Sequence, residues 1–334
     1  MSKRHEDRRI QETYFMITRR RFLQTSAAAT AVTVLPHSAN GTPFSQDSCV
    51  VDTHMHVWAD DADRYPFAHP YSPEFAEAHP ATLEMLVEDM DQANCDGAVL
   101  VQCIYHGWDN RYIADCAKAD PQRFRAHGLI DPTDPQVAQK LEYWMKEHGL
   151  HGMRFSPIYY QDGNHGGDGW LDADESQQLW KTAENLGAVF NFFIAAQQLP
   201  KLETIVRRYP DIPVIIDHIS QLDFGATDFE PNFQRLLKMA QYPNVWVKVS
   251  ELASVSESKK YPFEDAYPNV KRLYEAFGGD QLLFGTGYPG TARAAYDRPT
   301  LVKEIELIKT TMPFFDAEDR DKILGGNAKK IWNF

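Results

Sequence analysis

Cys49-Val50-Val51-Asp52-Thr53-His54-Met55-His56 is the stretch whose reading decides the fold. Cys49, Val50 and Val51 read as a buried strand, and on a strand residues two apart point to the same face. His54 and His56 then turn both imidazoles toward one point, as two ligands of a divalent metal must. A histidine pair at the end of a first, apolar strand raises two questions. One is whether further strands follow in a regular pattern, and the other is whether they supply a third ligand.

Working outward, short apolar or β-branched runs fall at residues 49–52, 97–101, 124–130, 152–155, 188–194, 213–217, 245–249 and 282–285. Stretches of helical periodicity lie between and after them, at 83–93, 111–119, 136–148, 175–186, 202–209, 233–240, 270–277 and 301–310. Eight strand-then-helix units predict an α/β fold, a single-domain (β/α)8 TIM barrel. A doubly wound open sheet is the rival, but no glycine-rich phosphate loop follows the first strand. In a barrel the chemistry sits at the C-terminal ends of the strands and in the loops beyond them. Three of those loops, 58–80, 156–171 and 251–267, are long enough to shape a mouth. The first is rich in Pro, Tyr, His and Asp, the second in glycine, and the third is polar and reads as exposed.

Val214-Ile215-Ile216-Asp217-His218 is a second apolar strand that ends on a histidine, in the sixth unit. His218 therefore falls at the catalytic end, placed to complete a ligand set with His54 and His56. Gln102 ends the second strand within reach of a substrate, and Tyr105, His106 and Trp108 follow it as pocket-wall residues. His127, inside the third strand, reads as a satisfied core histidine. Lys248, inside Val245-Trp246-Val247-Lys248-Val249, calls for an internal ion pair.

The formal net charge of −13 argues against nucleic acid or an anionic membrane surface as the main partner. Four cysteines show no CxxC or zinc-ribbon spacing and read as buried thiols. Before the barrel, Thr18-Arg19-Arg20-Arg21-Phe22-Leu23-Gln24 precedes a short, weakly apolar segment ending at Leu35, too mild for a membrane span. This resembles a twin-arginine export signal, with a basic disordered tail as the bland alternative. The expected organisation is thus residues 1–45 as signal and linker and 46–334 as the barrel. The export machinery is then a partner and the destination is periplasmic or extracellular. Whether the signal is cleaved or kept as a membrane anchor stays open, as does a homo-oligomer.

Asp52-Thr53-His54-Met55-His56 resembles the first-strand signature of the amidohydrolase superfamily. Ile323-Leu324-Gly325-Gly326-Asn327-Ala328-Lys329-Lys330-Ile331 resembles the C-terminal segment of its amidohydrolase-related (type 2) branch. The fifth strand, Ala188-Val189-Phe190-Asn191-Phe192-Phe193-Ile194, lacks the histidine many members carry there. In this the chain is similar to the sugar-lactonase-like subgroup. The resemblance implies a metal-dependent hydrolase, with zinc the expected ion, opening a lactone of a sugar or small organic acid by metal-activated water. The implied metal ligands are His54, His56 and His218.

The resemblance also exposes a departure. Family members carry an aspartate after the eighth strand, in a Gly-Ser/Thr-Asp-aromatic-Pro pattern, where it binds metal and takes a proton from water. Here the chain reads Gly285-Thr286-Gly287-Tyr288-Pro289. Glu251, just past the seventh strand, is one candidate replacement at the catalytic rim, with a solvated loop carboxylate as the alternative reading, and Asp297 is a more distant candidate. Asp217 precedes His218 and by strand alternation faces away, so it is set aside as a ligand. Arg154, ending the fourth strand, suits a substrate carboxylate or a developing oxyanion. The loss at 287 keeps two other readings open: a nonoxidative decarboxylase, and an exported binding protein of impaired catalysis.

Overall fold

A computed structural model describes residues 49–75, 77, 79–287 and 298–334. The twin-arginine segment, Tyr288, Pro289 and Asp297 lie outside the described residues. Eight parallel strands form one sheet in sequential order: β1 (Val51–Met55), β2 (Gly97–Val101), β3 (Phe124–Leu129), β4 (Gly152–Phe155), β5 (Val189–Phe192), β6 (Val214–Ile216), β7 (Val245–Val249) and β8 (Leu282–Phe284). β1 and β8 meet through side chains and loops. Thr53 donates to the Phe284 carbonyl at 2.6 Å, Thr286 Oγ1 donates to Asp52 at 2.7 Å, and Gly287 N–H donates to the His54 carbonyl at 2.7 Å. The architecture is the (β/α)8 barrel expected from the alternation.

Alternation along each strand sorts side chains between two apolar layers. Phe124, Ala126, Phe190, Phe192, Val245, Val247 and Val249 point outward into the layer under the helices. Val51, Val99, Val101, Val189, Ile215 and Leu283 pack together inside, with Trp332 of the C-terminal helix plugging the lower end. Trp332 Nε1–H donates to His127 Nε2 at 2.6 Å while His127 Nδ1 is buried without a partner among the described residues, so His127 is a core histidine satisfied at one nitrogen only. The amphipathic helices Leu83–Ala93 and Arg111–Ala119 bury their apolar stripes as their periodicity requires. Cys95, Cys103 and Cys116 are buried, Cys49 is half-buried, and all four are free thiols.

One strand and one loop differ from expectation. β1 runs to Met55, with a register shift between Asp52 and Met55, so His54 lies within the strand and His56 just beyond it. The 251–267 connection is not exposed throughout: Glu251, Leu252, Val255, Ser256 and Phe263 are buried. The 58–80 connection is anchored by a bridge between Trp58 and Ala81 and by Ala59 N–H donating to buried His106. Among the described residues no helix is long and apolar enough to cross a membrane.

Candidate active site

The ends of β1 and β6 bring three histidines together at the C-terminal mouth. The rings of His54 and His56 stand edge-on with centroids 4.9 Å apart, and those of His54 and His218 are 4.4 Å apart. Each ring commits its Nδ1. His56 Nδ1–H donates to the Val101 carbonyl at 2.6 Å, and His218 Nδ1 pairs with Ser250 Oγ at 2.8 Å. His54 Nδ1 lies between an acceptor and a donor, 3.2 Å from Asp217 Oδ1 and 2.9 Å from Lys248 Nζ. With Nδ1 engaged, Nε2 is the nitrogen each ring turns to the interior, and the Nε2 of His54 is buried without a partner among the described residues.

Burial keeps these rings neutral. It pushes His54 and His218 well below the ordinary imidazole value, and His56 down to about 3. Neutral imidazole is the form that binds metal. A buried nitrogen with no partner, in a set of neutral ring nitrogens, is a donor set that fits a divalent cation.

Asp217 overturns the alternation argument. His54, Asp217 and His218 bring ligating atoms within 4.8 Å of one another, and His56 lies outside that tight group, held toward β2 by Val101. β6 stops at Ile216, and His218, Ile219, Ser220 and Gln221 all take positive φ, between 50° and 56°. Once the strand has ended, adjacent residues no longer alternate, and Asp217 and His218 both reach the interior. Lys248 Nζ lies 3.0 Å from Asp217 Oδ1, and Arg154 Nε donates to Oδ2 at 3.0 Å. Burial alone would raise the Asp217 pKa, but Lys248, His54 and Arg154 outweigh it and hold the carboxylate well below its usual range. Burial brings Lys248 down to about 8. With every side of Asp217 engaged by donors, it orients His54 from behind, an arrangement known to fix ring tautomer and raise ligand basicity.

Arg154 joins this network to a recess. Its guanidinium lies over the Phe193 ring at 4.4 Å and lines the recess with Tyr71, Trp108, Tyr159 and Tyr160. Tyr71 and Tyr160, from the loops after β1 and β4, share a hydrogen bond of 2.9 Å between their hydroxyls. Arg154 and Trp108 thus stand where the sequence implies. Gln102 and Tyr105 do not. Gln102 is fully buried and spends its amide N–H on the Asp109 carbonyl, and Tyr105 packs between Phe75 and Trp58. Both belong to the support of the loop after β2 rather than to the recess wall. Sequence reading missed Ser250 and the three tyrosines, which carry no motif, and dismissed Asp217.

Glu251 lies two residues past the end of β7 and is 8% exposed. Its Oε2 lies 3.1 Å from Arg298 and accepts from Ser254 Oγ at 3.0 Å. Gly287 has φ +86°, and a Cβ added there would sit 2.5 Å from Glu251 Oε1.

A barrel with a histidine-rich mouth of this build matches a known family. The amidohydrolase family model covers residues 51–334, and the chain belongs to that family. The model for the twin-arginine translocation pathway signal sequence covers residues 16–36. Among curated relatives, a 4-sulfomuconolactone hydrolase of Rhizobium radiobacter is 26% identical, over 84% of this chain and 89% of its own. A 2-pyrone-4,6-dicarboxylate hydrolase of Comamonas testosteroni is 27% identical, over 74% and 78%. Among solved structures, a probable 2-pyrone-4,6-dicarboxylic acid hydrolase of Acinetobacter baumannii superposes with a TM-score of 0.69 at 20% identity, covering 85% of this chain and 99% of that one. A Burkholderia multivorans amidohydrolase with bound zinc gives 0.63 at 18% identity, covering 86% and 99%.

Proposed function

We propose that this chain is an exported, metal-dependent lactone hydrolase acting on a small lactone that carries an acidic group. The observation that carries the reading is the cluster of three neutral histidines, His54 and His218 buried and His56 half-buried, each with Nδ1 committed. His54, His56 and His218 would hold a divalent ion, zinc by its preference for imidazole nitrogen. Such an ion supplies a water of lowered pKa and a polarised carbonyl.

The protein's own contribution is positioning. Asp217 and Lys248 hold the His54 ring through Nδ1, and Ser250 and Val101 do the same for His218 and His56. Arg154 offers a cation at the recess, while Trp108 and the tyrosines present flat apolar faces to a ring. An aromatic wall with an arginine suits an unsaturated, acidic lactone better than a polyhydroxylated sugar lactone. The lactone-hydrolysing relatives support the reaction class, and the match to a twin-arginine signal supports export to the periplasm.

The test is metal analysis of protein folded in the cell, combined with ring-opening assays on acidic, neutral and sugar lactones. Near-stoichiometric zinc, preference for acidic lactones, and loss of both zinc and activity in His54→Ala are expected. A zinc-loaded protein that opens none of the panel would defeat the reading.

A further inference from the structure

We propose that Tyr71 is the movable wall of the recess beside Arg154, latched shut by Tyr160 and His165, and that its swing sets the width of ring the site admits. The substrate class, a flat acidic lactone, rests on the hydrolase reading above, while the latch rests on geometry. The recess encloses about 10 Å³, room for about one water. Sites that hold small molecules measure about 300–1,000 Å³. A lactone therefore reaches Arg154 only if a wall gives way. The histidine cluster lies just behind. The Phe193 ring under the guanidinium stands 6.1 Å from the His218 ring, and Arg154 Nε bonds the carboxylate that backs His54.

Several walls are fixed by their supports. Leu129 and Ile130 sit at the end of β3 and are buried, as is Tyr160, whose ring packs edge-on to Trp170 at 5.5 Å. Arg154 is tied to Asp217. Tyr71 differs: it is half-exposed and reaches in from the long loop after β1. The backbone on both sides of it is moored to Tyr105. Ala68 N–H donates to the Tyr105 carbonyl at 2.8 Å, and the Phe75 ring stacks on the Tyr105 ring at 4.5 Å. Between those moorings, two close contacts tie the Tyr71 side chain to the loop after β4. Its hydroxyl pairs with that of Tyr160 at 2.9 Å, and its ring lies on His165 with centroids 4.0 Å apart.

His165 rides on an exposed tip, residues 162–166. Asp162, Gly163, His165, Gly166 and Gly167 all take positive φ, between 48° and 92°. A Cβ added at Gly163 or Gly166 would meet nothing within 4 Å, so packing does not hold the tip in place. Its two ends are held. Tyr160 is buried, and Asp168 bonds Lys201 at 2.6 Å and Gln198 at 2.9 Å. The tip can lift His165 off Tyr71 without disturbing either end. Tyr71 then turns about its side-chain torsions, and the recess widens on that side. Tethered at Ala68 and Phe75, the ring retreats only by its own sweep, enough for a single flat ring and too little for a fused pair.

Calorimetric binding of benzoate and 2-naphthoate to the full chain tests the wall without any turnover. Both acids offer Arg154 one carboxylate, and they differ by a single fused ring. The parent should bind benzoate more tightly, and Tyr71→Ala should shrink that preference about tenfold, chiefly through tighter naphthoate binding. An unchanged ratio in Tyr71→Ala would overturn the role. Tyr71→Phe keeps the ring and breaks the latch. Stopped-flow association of benzoate, followed by tryptophan fluorescence, should then speed up about 2- to 10-fold, the worth of one neutral hydrogen bond. Tyr160→Phe should speed it equally and the double variant no further, because one bond has two partners. Fully additive gains, or an association rate unmoved in His165→Ala, would overturn the latch. So would a parent that binds neither acid. A parent with the expected ratios that opens no lactone would defeat the hydrolase reading while upholding the wall.

Discussion

Lys248 Nζ lies 3.0 Å from Asp217 Oδ1, and neither side chain has any exposure to solvent. A buried pair of this kind gains little over a well-packed apolar pair, but removing one partner strands the other charge. Lys248→Met is therefore expected to destabilise the fold by about 3–5 kcal/mol, read as a lowered urea midpoint. Adding Asp217→Leu to Lys248→Met should return part of that loss. A Lys248→Met protein as stable as the parent would mean the charge on Asp217 is compensated elsewhere.

The histidine cluster makes stability pH-dependent, and its sign follows from the direction of the shifts. His54, His56 and His218 are held below 6.5, His56 at about 3, so the unfolded chain binds more protons than the folded one in that window. Stability is then fully present above the unfolded value and is lost as pH falls from 6.5 toward about 3. Asp217, also depressed, adds to the loss below its ordinary value of 3.8. Urea unfolding of chelator-treated protein should show a falling midpoint between about pH 7 and about pH 5. In His56→Asn, whose amide can still donate to Val101, the slope should be shallower. An identical slope would remove His56 from the account.

What could be read from sequence, and what could not, divides along a physical line. The eight strands were legible because burial on both faces leaves continuous β-branched and apolar runs, and the helices because one face must be apolar. His54, His218, Arg154 and Lys248 were legible because each sits in or ends such a run. Asp217 was not, because alternation holds only while a strand lasts, and the left-handed backbone from His218 to Gln221 has no clear sequence mark. Lys248 was the signal that should have found it: a lysine inside an apolar strand requires an acid, and β6 is the neighbour of β7. The tyrosines of the recess were illegible for another reason. They come from two loops, after β1 and β4, that meet only in three dimensions.

Arg154 serves two masters, which makes its substitution informative. Nε holds Asp217 while the guanidinium lines the recess, so Arg154→Lys keeps a charge but not the planar fork. For an acidic lactone, KM should rise about 10- to 100-fold, the worth of a charged hydrogen bond. A neutral lactone of the same ring should show little change in KM. Equal effects on both substrates would assign Arg154 to the Asp217 network alone.

The C-terminal segment predicts the opposite pattern, loss of stability without loss of chemistry. Asn327 Nδ2 donates to the carbonyls of Gly279 at 2.7 Å and Leu282 at 2.9 Å, which brackets the start of β8. A Cβ on Gly325 would run into the Cys49 carbonyl, just before β1. The Gly-Gly-Asn run thus clamps the lower ends of β1 and β8, at the end of the barrel opposite the histidines. Removing the Asn327 amide leaves two buried carbonyls unsatisfied, at about 1–3 kcal/mol. Asn327→Ala should therefore lower Tm with kcat/KM unchanged in the folded protein. Gly325→Ala should cost more, because the obstacle is backbone that cannot move without shifting β1. A drop in kcat/KM at constant Tm in either variant would show that the clamp reaches the site, through β1 and His54.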